Sequence, residues 1–216
     1  MAKLRLGVLI SGRGSNLQAL IDACARPGYP AEIAVVVSNE PGAQGLTRAR
    51  AASIATRVVN HRVFPDRGAF EAEVDGALRA AAVDLVCLAG FMRLLTEPFV
   101  ARWRDRLINI HPSLLPAYKG LDTHARALAD GVRLVGCTVH FVRPAMDDGP
   151  IIVQAAVPVL SGDDEAALAA RVLAAEHRCY PLAVRLIAAG QVRVEGDRVT
   201  IDGAKFTDRA FLNPTD

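Results

Sequence analysis

Apolar and polar positions follow two alternating patterns along the first two-thirds of the chain. Short apolar runs rich in β-branched residues cover residues 6–10, 33–38, 56–59, 85–89, 107–110 and 136–142. Between most of these runs, apolar residues recur at the three-to-four-residue spacing of an amphipathic helix, as at Leu17, Leu20 and Cys24. This alternation predicts βαβ units and an α/β fold, in which helices flank a mainly parallel sheet.

Residues typical of helix starts precede three of the helical stretches. Asn16 is available to cap the first helix and Asp66 to cap the third, since both side chains can accept a backbone N–H at a helix N-terminus. Thr96 precedes Glu97 and Pro98, and acidic residues and proline are favoured in the first turn of a helix. We therefore expect helices to begin close to these three positions.

The last third of the chain has a different pattern. Residues 151–159 predict a further strand, and a helix follows from about Glu165 to His177. Pro181 should kink or restart this helix, because proline lacks a backbone donor, and Gly190 should end the second piece. Residues 192–201 alternate around Gly-Asp, as in a two-stranded hairpin. We expect a single domain, with residues 1–190 as its body and residues 191–216 as a C-terminal hairpin and tail.

Composition and charge narrow the class of protein. The 216 residues are 51% hydrophobic and 22% charged, which suffices for a packed core and excludes intrinsic disorder. The 25 Lys+Arg and 23 Asp+Glu residues give a formal net charge of +2, too little for a generally basic binding surface. No apolar run approaches the ~18 residues that span a bilayer, and the N-terminus lacks signal-peptide features. We expect no nucleic-acid partner and no membrane partner.

Neither the cysteines nor most of the histidines form a recognisable site. The four cysteines lie far apart, without the C-x-x-C spacing of zinc or redox sites. Four histidines are scattered and are interpreted as packed or surface residues, namely His61, His124, His140 and His177. We therefore expect reduced thiols, a cytoplasmic protein and no bound metal.

Residues 11–16, Ser-Gly-Arg-Gly-Ser-Asn, connect the first strand to the first helix. Glycines let the backbone approach a ligand, and the free N–H groups of a helix N-terminus attract phosphate. Leu17 replaces the third glycine of the dinucleotide fingerprint, and the Gly-Lys-Ser/Thr of a Walker A loop is missing. The segment is interpreted either as a tight β–α turn or as a site for a small phosphate-bearing molecule.

Residues 109–116, Asn-Ile-His-Pro-Ser-Leu-Leu-Pro, end the fifth predicted strand. Asn109 and His111 are two apart, so their side chains should point to the same side of the strand. An amide can donate a hydrogen bond, and an imidazole can move a proton near neutral pH. The pair is interpreted either as a polar strand end or as part of a site at the sheet edge where α/β proteins bind ligands.

Residues 143–150, Arg-Pro-Ala-Met-Asp-Asp-Gly-Pro, form a loop between two predicted strands. Adjacent carboxylates repel, so one can retain a proton longer or pair with a cation. Asp147 and Asp148 are interpreted either as a solvated turn or as a source of a functional carboxylate. All three candidate loops follow strands of one sheet, which favours a shared site.

The sequence resembles the phosphoribosylglycinamide formyltransferase family, folate-dependent enzymes of purine synthesis within the formyltransferase superfamily. The resemblance rests on residues 8–17, 38–39, 88–94, 109–116 and 149–150, and extends through about Gly190. It implies a Rossmann-like fold, a ribonucleotide-binding first half and a folate-binding, catalytic second half. It also implies a cis bond between Leu115 and Pro116.

The resemblance also implies roles for individual residues. The catalytic residues would be Asn109, His111 and Asp147, the last preferred to Asp148 because it lies three residues before Pro150. The family usually has a small residue where this chain has Asp148. The glycinamide ribonucleotide (GAR) would be bound through its phosphate by Gly14, Ser15 and Asn16, and at its other end by Glu176. The 10-formyltetrahydrofolate pocket would be formed by Arg67, Met92, Arg93, Leu94, Leu95, Asn109, Arg143 and Met146.

The reaction implied is direct formyl transfer from 10-formyltetrahydrofolate, a co-substrate, to the amine of GAR, by a monomer or homodimer. Formyltetrahydrofolate hydrolase is an alternative, but that family carries an extra N-terminal domain, and the first strand here begins close to Met1. Methionyl-tRNA formyltransferase would need a larger C-terminal domain than residues 191–216. A nucleotide-binding module without catalysis would not need Asn109, His111 and Asp147 together.

Overall fold

The computed structural model describes residues 2–203 and 211–214. The strands of its main sheet are β1 (Leu4–Ile10), β2 (Ala31–Ser38), β3 (Thr56–Val58), β4 (Leu85–Leu88), β5 (Leu107–His111), β6 (Leu134–Phe141) and β7 (Ile151–Pro158). The helices are α1 (Ser15–Cys24), α2 (Gln44–Ala51), α3 (Arg67–Ala80), α4 (Glu97–Arg102), α5 (Thr123–Ala129) and α6 (Glu165–Ala188), with a short 3-10 turn at His61–Val63. Two further strands, β8 (Val192–Glu195) and β9 (Arg198–Ile201), form a separate hairpin.

The main sheet has the strand order β3-β2-β1-β4-β5-β6-β7. The first five strands in this order are parallel, and β6 and β7 are antiparallel to their neighbours. The prediction of a mainly parallel, Rossmann-like sheet is therefore confirmed. From β1 the chain adds β2 and β3 on one side of the sheet and then continues with β4 on the other side of β1. The strand order therefore reverses beside β1. Open α/β sheets bind ligands at the carboxyl ends of strands near such a point.

Helices cover both faces of the sheet, and each face has its own apolar core. On β1, Val8 and Ile10 pack with residues of α1 and α6, whereas Leu9 packs on the opposite side with residues of α3 and α4. All three of these strand residues are fully buried. Successive residues of a strand face opposite sides, so an uninterrupted apolar run is the pattern expected for a strand covered on both faces.

The structure confirms the predicted helix cap at Asp66 but not the one at Asn16. The Asp66 carboxylate accepts the Ala69 N–H at 2.8 Å, which confirms it as the cap of α3. Gly14 occupies the cap position of α1 with a φ of 70°, and Asn16 lies inside the helix. The prediction that Asn16 caps α1 is wrong, because its side chain is drawn to a long-range partner described below.

α6 runs without interruption through Pro181, so the predicted restart there is wrong. Tertiary contacts hold the helix on both sides of the proline. The buried Tyr180 hydroxyl lies 2.9 Å from the carbonyl of Leu88, at the end of β4, and the Tyr29 hydroxyl donates to the Pro181 carbonyl at 2.8 Å. Such contacts offset the backbone bond that the proline cannot make.

The C-terminal part forms the expected hairpin. β8 and β9 pair antiparallel around a turn in which Gly196 has a φ of 62°, a conformation that favours glycine. The tail of the predicted 191–216 unit lies partly outside the described residues. Across residues 2–203 and 211–214, none of the helices is long and apolar enough to cross a membrane.

Candidate active site

Asn109, His111 and Asp147 come together at the carboxyl end of β5. Asn109 and His111 lie on β5, and the antiparallel pairing of β6 places His140 directly opposite Asn109. The loop after β6 then returns to this edge, where the Asp147 carboxylate lies 3.5 Å from Nδ1 of His111 and 3.9 Å from Nε2 of His140. The predicted trio is therefore one cluster, and it includes a second histidine.

Both ring nitrogens of His111 face oxygen acceptors. Nε2 lies 2.9 Å from the carbonyl of Tyr118, and Nδ1 faces the Asp147 carboxylate. A carbonyl cannot donate a hydrogen bond, so Nε2 carries the proton that the Tyr118 carbonyl accepts. The His111 side chain is 8% exposed. The ring is thus held in a fixed orientation, with Nδ1 turned toward a carboxylate.

His140 orients the amide of Asn109. The ring is 2% exposed, and its Nδ1 lies 3.0 Å from the Phe141 carbonyl, which fixes a proton on that nitrogen. Burial lowers the pKa of His140, with smaller opposing effects from the Phe141 carbonyl and Asp147. With its proton on Nδ1, the ring presents Nε2 as an acceptor for the Asn109 amide nitrogen, 3.4 Å away. The second N–H of that amide is left for a ligand.

His140 is the site residue that the sequence interpretation missed. It was grouped with the scattered histidines, and it is indeed packed, but it is packed inside the cluster. The available signal was a basic side chain near the end of the apolar run Leu134–Phe141. Only the register between β5 and β6 shows that this position faces Asn109.

The two adjacent aspartates have different environments. Asp147 has a 12% exposed side chain, a φ of 51° and a carboxylate that accepts the Gly120 N–H at 2.9 Å. Asp148 is 55% exposed and forms an ion pair with Lys119. The loop bearing the aspartates is thus joined at two points to the segment after β5. Of the two carboxylates, the one that faces the histidines is Asp147.

The segment that follows His111 is held by buried polar contacts. Thr138 on β6 donates to the Ser113 carbonyl at 2.7 Å and accepts the Leu115 N–H at 3.0 Å. Gln154 on β7 donates to the Leu115 carbonyl at 2.9 Å. The Leu115–Pro116 bond is cis, as the resemblance implies. The strands beyond β5 therefore determine the path of the chain beside His111.

Residues 11–16 wrap closely around the start of α1. Gly14 is buried in a left-handed conformation, and a Cβ atom there would lie 2.6 Å from the Cα of Gly45 in α2. The Gly45 N–H donates to the Gly12 carbonyl at 3.0 Å, which joins the loop to α2. Ser15 is the first residue of α1. Glycine at position 14 is thus needed for the loop, whose first-turn N–H groups are available to an anion.

Asn16 and Glu176 form a buried pair beside this loop. The Asn16 amide donates to the Glu176 carboxylate at 2.7 Å, which joins α1 to α6. Burial raises the pKa of Glu176, and the hydrogen bond from Asn16 partly opposes that effect. The Asn16 side-chain oxygen is buried without a partner among the described residues. The resemblance assigns the two residues to opposite ends of one ligand, whereas the structure places them in direct contact.

The residues expected to bind folate differ in their exposure to solvent. Met92, Leu94 and Met146 are exposed by 66%, 62% and 53%. Leu95 packs against the core beneath α3 and α4, and Nε of Arg93 is buried without a partner among the described residues. A ligand with an apolar ring system would cover such exposed side chains.

Two arginines expected at the folate site are not drawn to the catalytic cluster. The Arg143 guanidinium donates to Asp105 at 2.6 Å and to the Val142 carbonyl at 3.2 Å, and its side chain is 9% exposed. Arg67 is an exposed first residue of α3, and within the described residues it forms no hydrogen bond to the cluster. In residues 2–203 and 211–214, no group of three or more metal-ligating side chains is placed to hold an ion.

Comparison with known proteins shows to which family the chain belongs. The formyl transferase family matches residues 4–184, and the chain belongs to that family. Within it, the chain is 44% identical to the phosphoribosylglycinamide formyltransferase of Escherichia coli strain K12 over 208 residues, which cover 96% of this chain and 98% of that protein. The fold is similar to a crystal structure of glycinamide ribonucleotide transformylase 1 from Symbiobacterium toebii, with a TM-score of 0.90 and 51% identity over 92% of this chain and 94% of the other.

The chain is also similar to part of a larger protein. It is 50% identical to the human trifunctional purine biosynthetic protein adenosine-3 over 192 residues. These residues cover 89% of this chain but 19% of the human protein. The chain therefore spans about a fifth of the length of that relative and nearly the full length of the bacterial one.

Proposed function

We propose that the protein transfers the formyl group of 10-formyltetrahydrofolate to the amine of GAR, yielding formyl-GAR and tetrahydrofolate in de novo purine biosynthesis. The observation that carries this proposal is the cluster in which Asp147 faces His111 and His140 faces Asn109. An imidazole, an amide and a carboxylate thus lie together beside the end of β5. The named activities of the bacterial relative and the similar crystal structure support the same reaction.

The chemistry follows from what these groups can donate and accept. The GAR amine attacks the formyl carbon, and negative charge develops on the formyl oxygen of the tetrahedral intermediate. The free N–H of Asn109 and a proton of His111 stabilise that oxygen, because preorganised donors act strongly in a partly buried site. Asp147 holds the imidazolium and, through water, helps move the amine proton to the departing folate nitrogen. Collapse of the intermediate breaks the bond to folate, so no covalent enzyme intermediate is needed.

One contact must change before His111 can act in this way. Nε2 of His111 is occupied by the Tyr118 carbonyl, and Nδ1 faces Asp147. Substrate must therefore displace one of these acceptors. We assign the displacement to Tyr118, because its carbonyl is a neutral acceptor, whereas the Asp147 carboxylate is the group that stabilises a protonated His111 ring.

GAR fits between the loop after β1 and the end of β5. Only β4 separates these strands, so their ends are about 10 Å apart at the usual strand spacing. Backbone N–H groups at Gly14 and Ser15 would bind the phosphate. Glu176 would accept hydrogen bonds from the ribose hydroxyls, a role that suits a carboxylate better than contact with a phosphate. The glycinamide amine then reaches Asn109 and His111.

The folate would lie along residues 92–95 and the loop that carries Asp147. The apolar side chains of Met92, Leu94 and Met146 would cover its ring system, and Arg93 has a buried donor without a partner in the described residues. The Arg143 guanidinium is held by Asp105 through one terminal nitrogen, and its Nε, like that of Arg93, is a buried donor without a partner in the described residues. Arg67 would contact the exposed part of the cofactor.

The proposal is tested by incubating the protein with 10-formyltetrahydrofolate, with and without GAR, and following folate absorbance. Turnover that depends on GAR supports transfer to the amine, whereas equal turnover without it supports hydrolysis. The four cysteines are free in the structure, which supports the proposed cytoplasmic location. A monomeric or homodimeric state remains part of the proposal.

A further inference from the structure

A single hydroxyl group connects the ends of three parallel strands. Ser11 follows β1, and its Oγ accepts the Met92 N–H at 2.8 Å, beyond the end of β4. The same Oγ donates to the side-chain oxygen of Asn39, which follows β2, at 2.6 Å. The Ser11 N–H also donates to the Gly90 carbonyl at 3.1 Å. One small side chain thus fixes three loops relative to one another.

The Ser11 hydroxyl donates to Asn39 and accepts from Met92. The Asn39 side-chain oxygen is turned toward Ser11, and its amide nitrogen faces Nδ1 of His61 at 3.3 Å, a nitrogen that also lies 3.3 Å from the Asn39 carbonyl. Asn39 is 2% exposed and therefore has little competing water. A serine hydroxyl has one hydrogen, and here Asn39 receives it. The remaining lone pairs are then held toward the Met92 N–H.

The two segments joined through Ser11 are those proposed to bind different ligands. Ser11 is the first residue of the loop 11–16, and Met92 is the first of residues 92–95. The far end of residues 92–95 is anchored independently, because the buried Glu71 carboxylate accepts the Thr96 N–H at 2.8 Å. The segment is therefore fixed at both ends, and only the Ser11 anchor leads to the phosphate loop.

We propose that Ser11 is a positioning residue that couples ribonucleotide binding to folate binding without touching either ligand. The inference rests on the proposed function of the two segments. An anion bound by residues 11–16 also restrains the Ser11 hydroxyl, and thereby the Met92 backbone. Folate then meets a segment that has less conformational freedom to lose, so each ligand increases the affinity for the other.

The test compares Ser11→Ala with a conservative variant and a matched control. Ser11→Thr keeps the hydroxyl. Ser38→Ala removes a buried hydroxyl at the end of β2 that donates to the Glu40 carbonyl at 2.8 Å and accepts the Glu40 N–H at 3.1 Å. This control deletes the same number of hydrogen bonds at the same sheet edge, but none of them reaches residues 92–95.

The measurement is the Kd of tetrahydrofolate by calorimetry, without and with saturating GAR. Tetrahydrofolate carries no formyl group, so no turnover occurs. In the wild type and in Ser11→Thr and Ser38→Ala, GAR should tighten tetrahydrofolate binding about fivefold or more. In Ser11→Ala this gain should disappear, and tetrahydrofolate should bind about tenfold more weakly with GAR present, since the Met92 N–H loses its acceptor.

Three results would overturn the inference: no gain from GAR in the wild type, an unchanged gain in Ser11→Ala, or an equal loss in Ser38→Ala. Formyl transfer by the wild type is measured separately. If transfer occurs and the gain survives in Ser11→Ala, the coupling role fails and the proposed function stands. If transfer is absent, the proposed function fails whatever the binding data show.

Discussion

Nδ1 of His111 lies 3.5 Å from the Asp147 carboxylate, although β6 separates the two residues along the chain. Because β6 runs antiparallel to β5, it ends beside Ile108, and the loop after β6 must fold back along β5 to bring Asp147 to His111. The fold-back of this loop, held by the Gly120 N–H that the Asp147 carboxylate accepts, is thus what completes the site.

Replacing Asp147 by Asn should lower kcat by on the order of 10²–10⁴, because the neutral amide no longer stabilises the His111 imidazolium. Asp148→Asn is the matched control and should stay within about threefold of the wild type, because its exposed partner Lys119 belongs to a surface ion pair. Steady-state formyl transfer and a thermal melt of both variants check this. The reverse order of effects would show that Asp148 supplies the functional carboxylate.

His140→Asn should lower kcat about tenfold, because the shorter side chain can still reach the Phe141 carbonyl but leaves the Asn109 amide without its acceptor. His140→Gln keeps an acceptor near the position of Nε2 and should lose less. The KM for GAR should change little in both variants. A larger loss in His140→Gln than in His140→Asn would contradict the assigned orienting role.

Gly14→Ala should destabilise the protein by about 1–3 kcal/mol, since a left-handed alanine is strained and its Cβ would crowd Gly45. Ribonucleotide affinity should fall more than folate affinity. The matched control is Gly12→Ala, where a Cβ has no heavy atom within 4 Å and φ lies outside the left-handed region. Urea unfolding and the two KM values provide the measurement. An equal loss of both affinities would indicate a general folding defect instead.

Acidification below pH 6.5 should reduce stability. Burial lowers the pKa of three histidines below the ordinary 6.5, namely His124, His140 and His177. The unfolded chain then binds more protons than the folded one in this window, so the free energy of unfolding falls as pH falls. Glu176 acts in the opposite sense, because burial raises its pKa above 4.5 and its contribution declines as pH rises through that range.

Glu176→Gln separates the two contributions. Urea unfolding at pH 7.5 and 5.5 should show a loss of stability on acidification in the wild type and a larger loss in this variant, where the opposing carboxyl is gone. A variant that is equally stable at both pH values would show that the histidines are not buried as the structure describes.

The sequence was most informative where one local rule decided the outcome. Apolar runs predicted the strands of the main sheet, because strands covered on both faces need uninterrupted burial. Asp66 was recognisable as a cap since its partner lies three residues away. Asn109 and His111 could be paired because a strand places alternate residues on one side.

Features that depend on distant contacts were not predictable in this way. Asn16 has the residue type of a cap but bonds to Glu176 on α6, and Pro181 is tolerated because Tyr180 and Tyr29 hold the helix around it. His140 joins the site through a strand register that no local pattern reveals. In each case tertiary packing outweighed local preference.

Formyl transfer is tested most directly by following the formyl carbon itself. The protein is given 10-formyltetrahydrofolate labelled with ¹³C in the formyl group, together with GAR, and the products are examined by NMR. The label should appear in the formamide of the ribonucleotide, and His111→Ala should abolish its appearance. Label recovered as free formate, or unimpaired transfer by His111→Ala, would contradict this proposal.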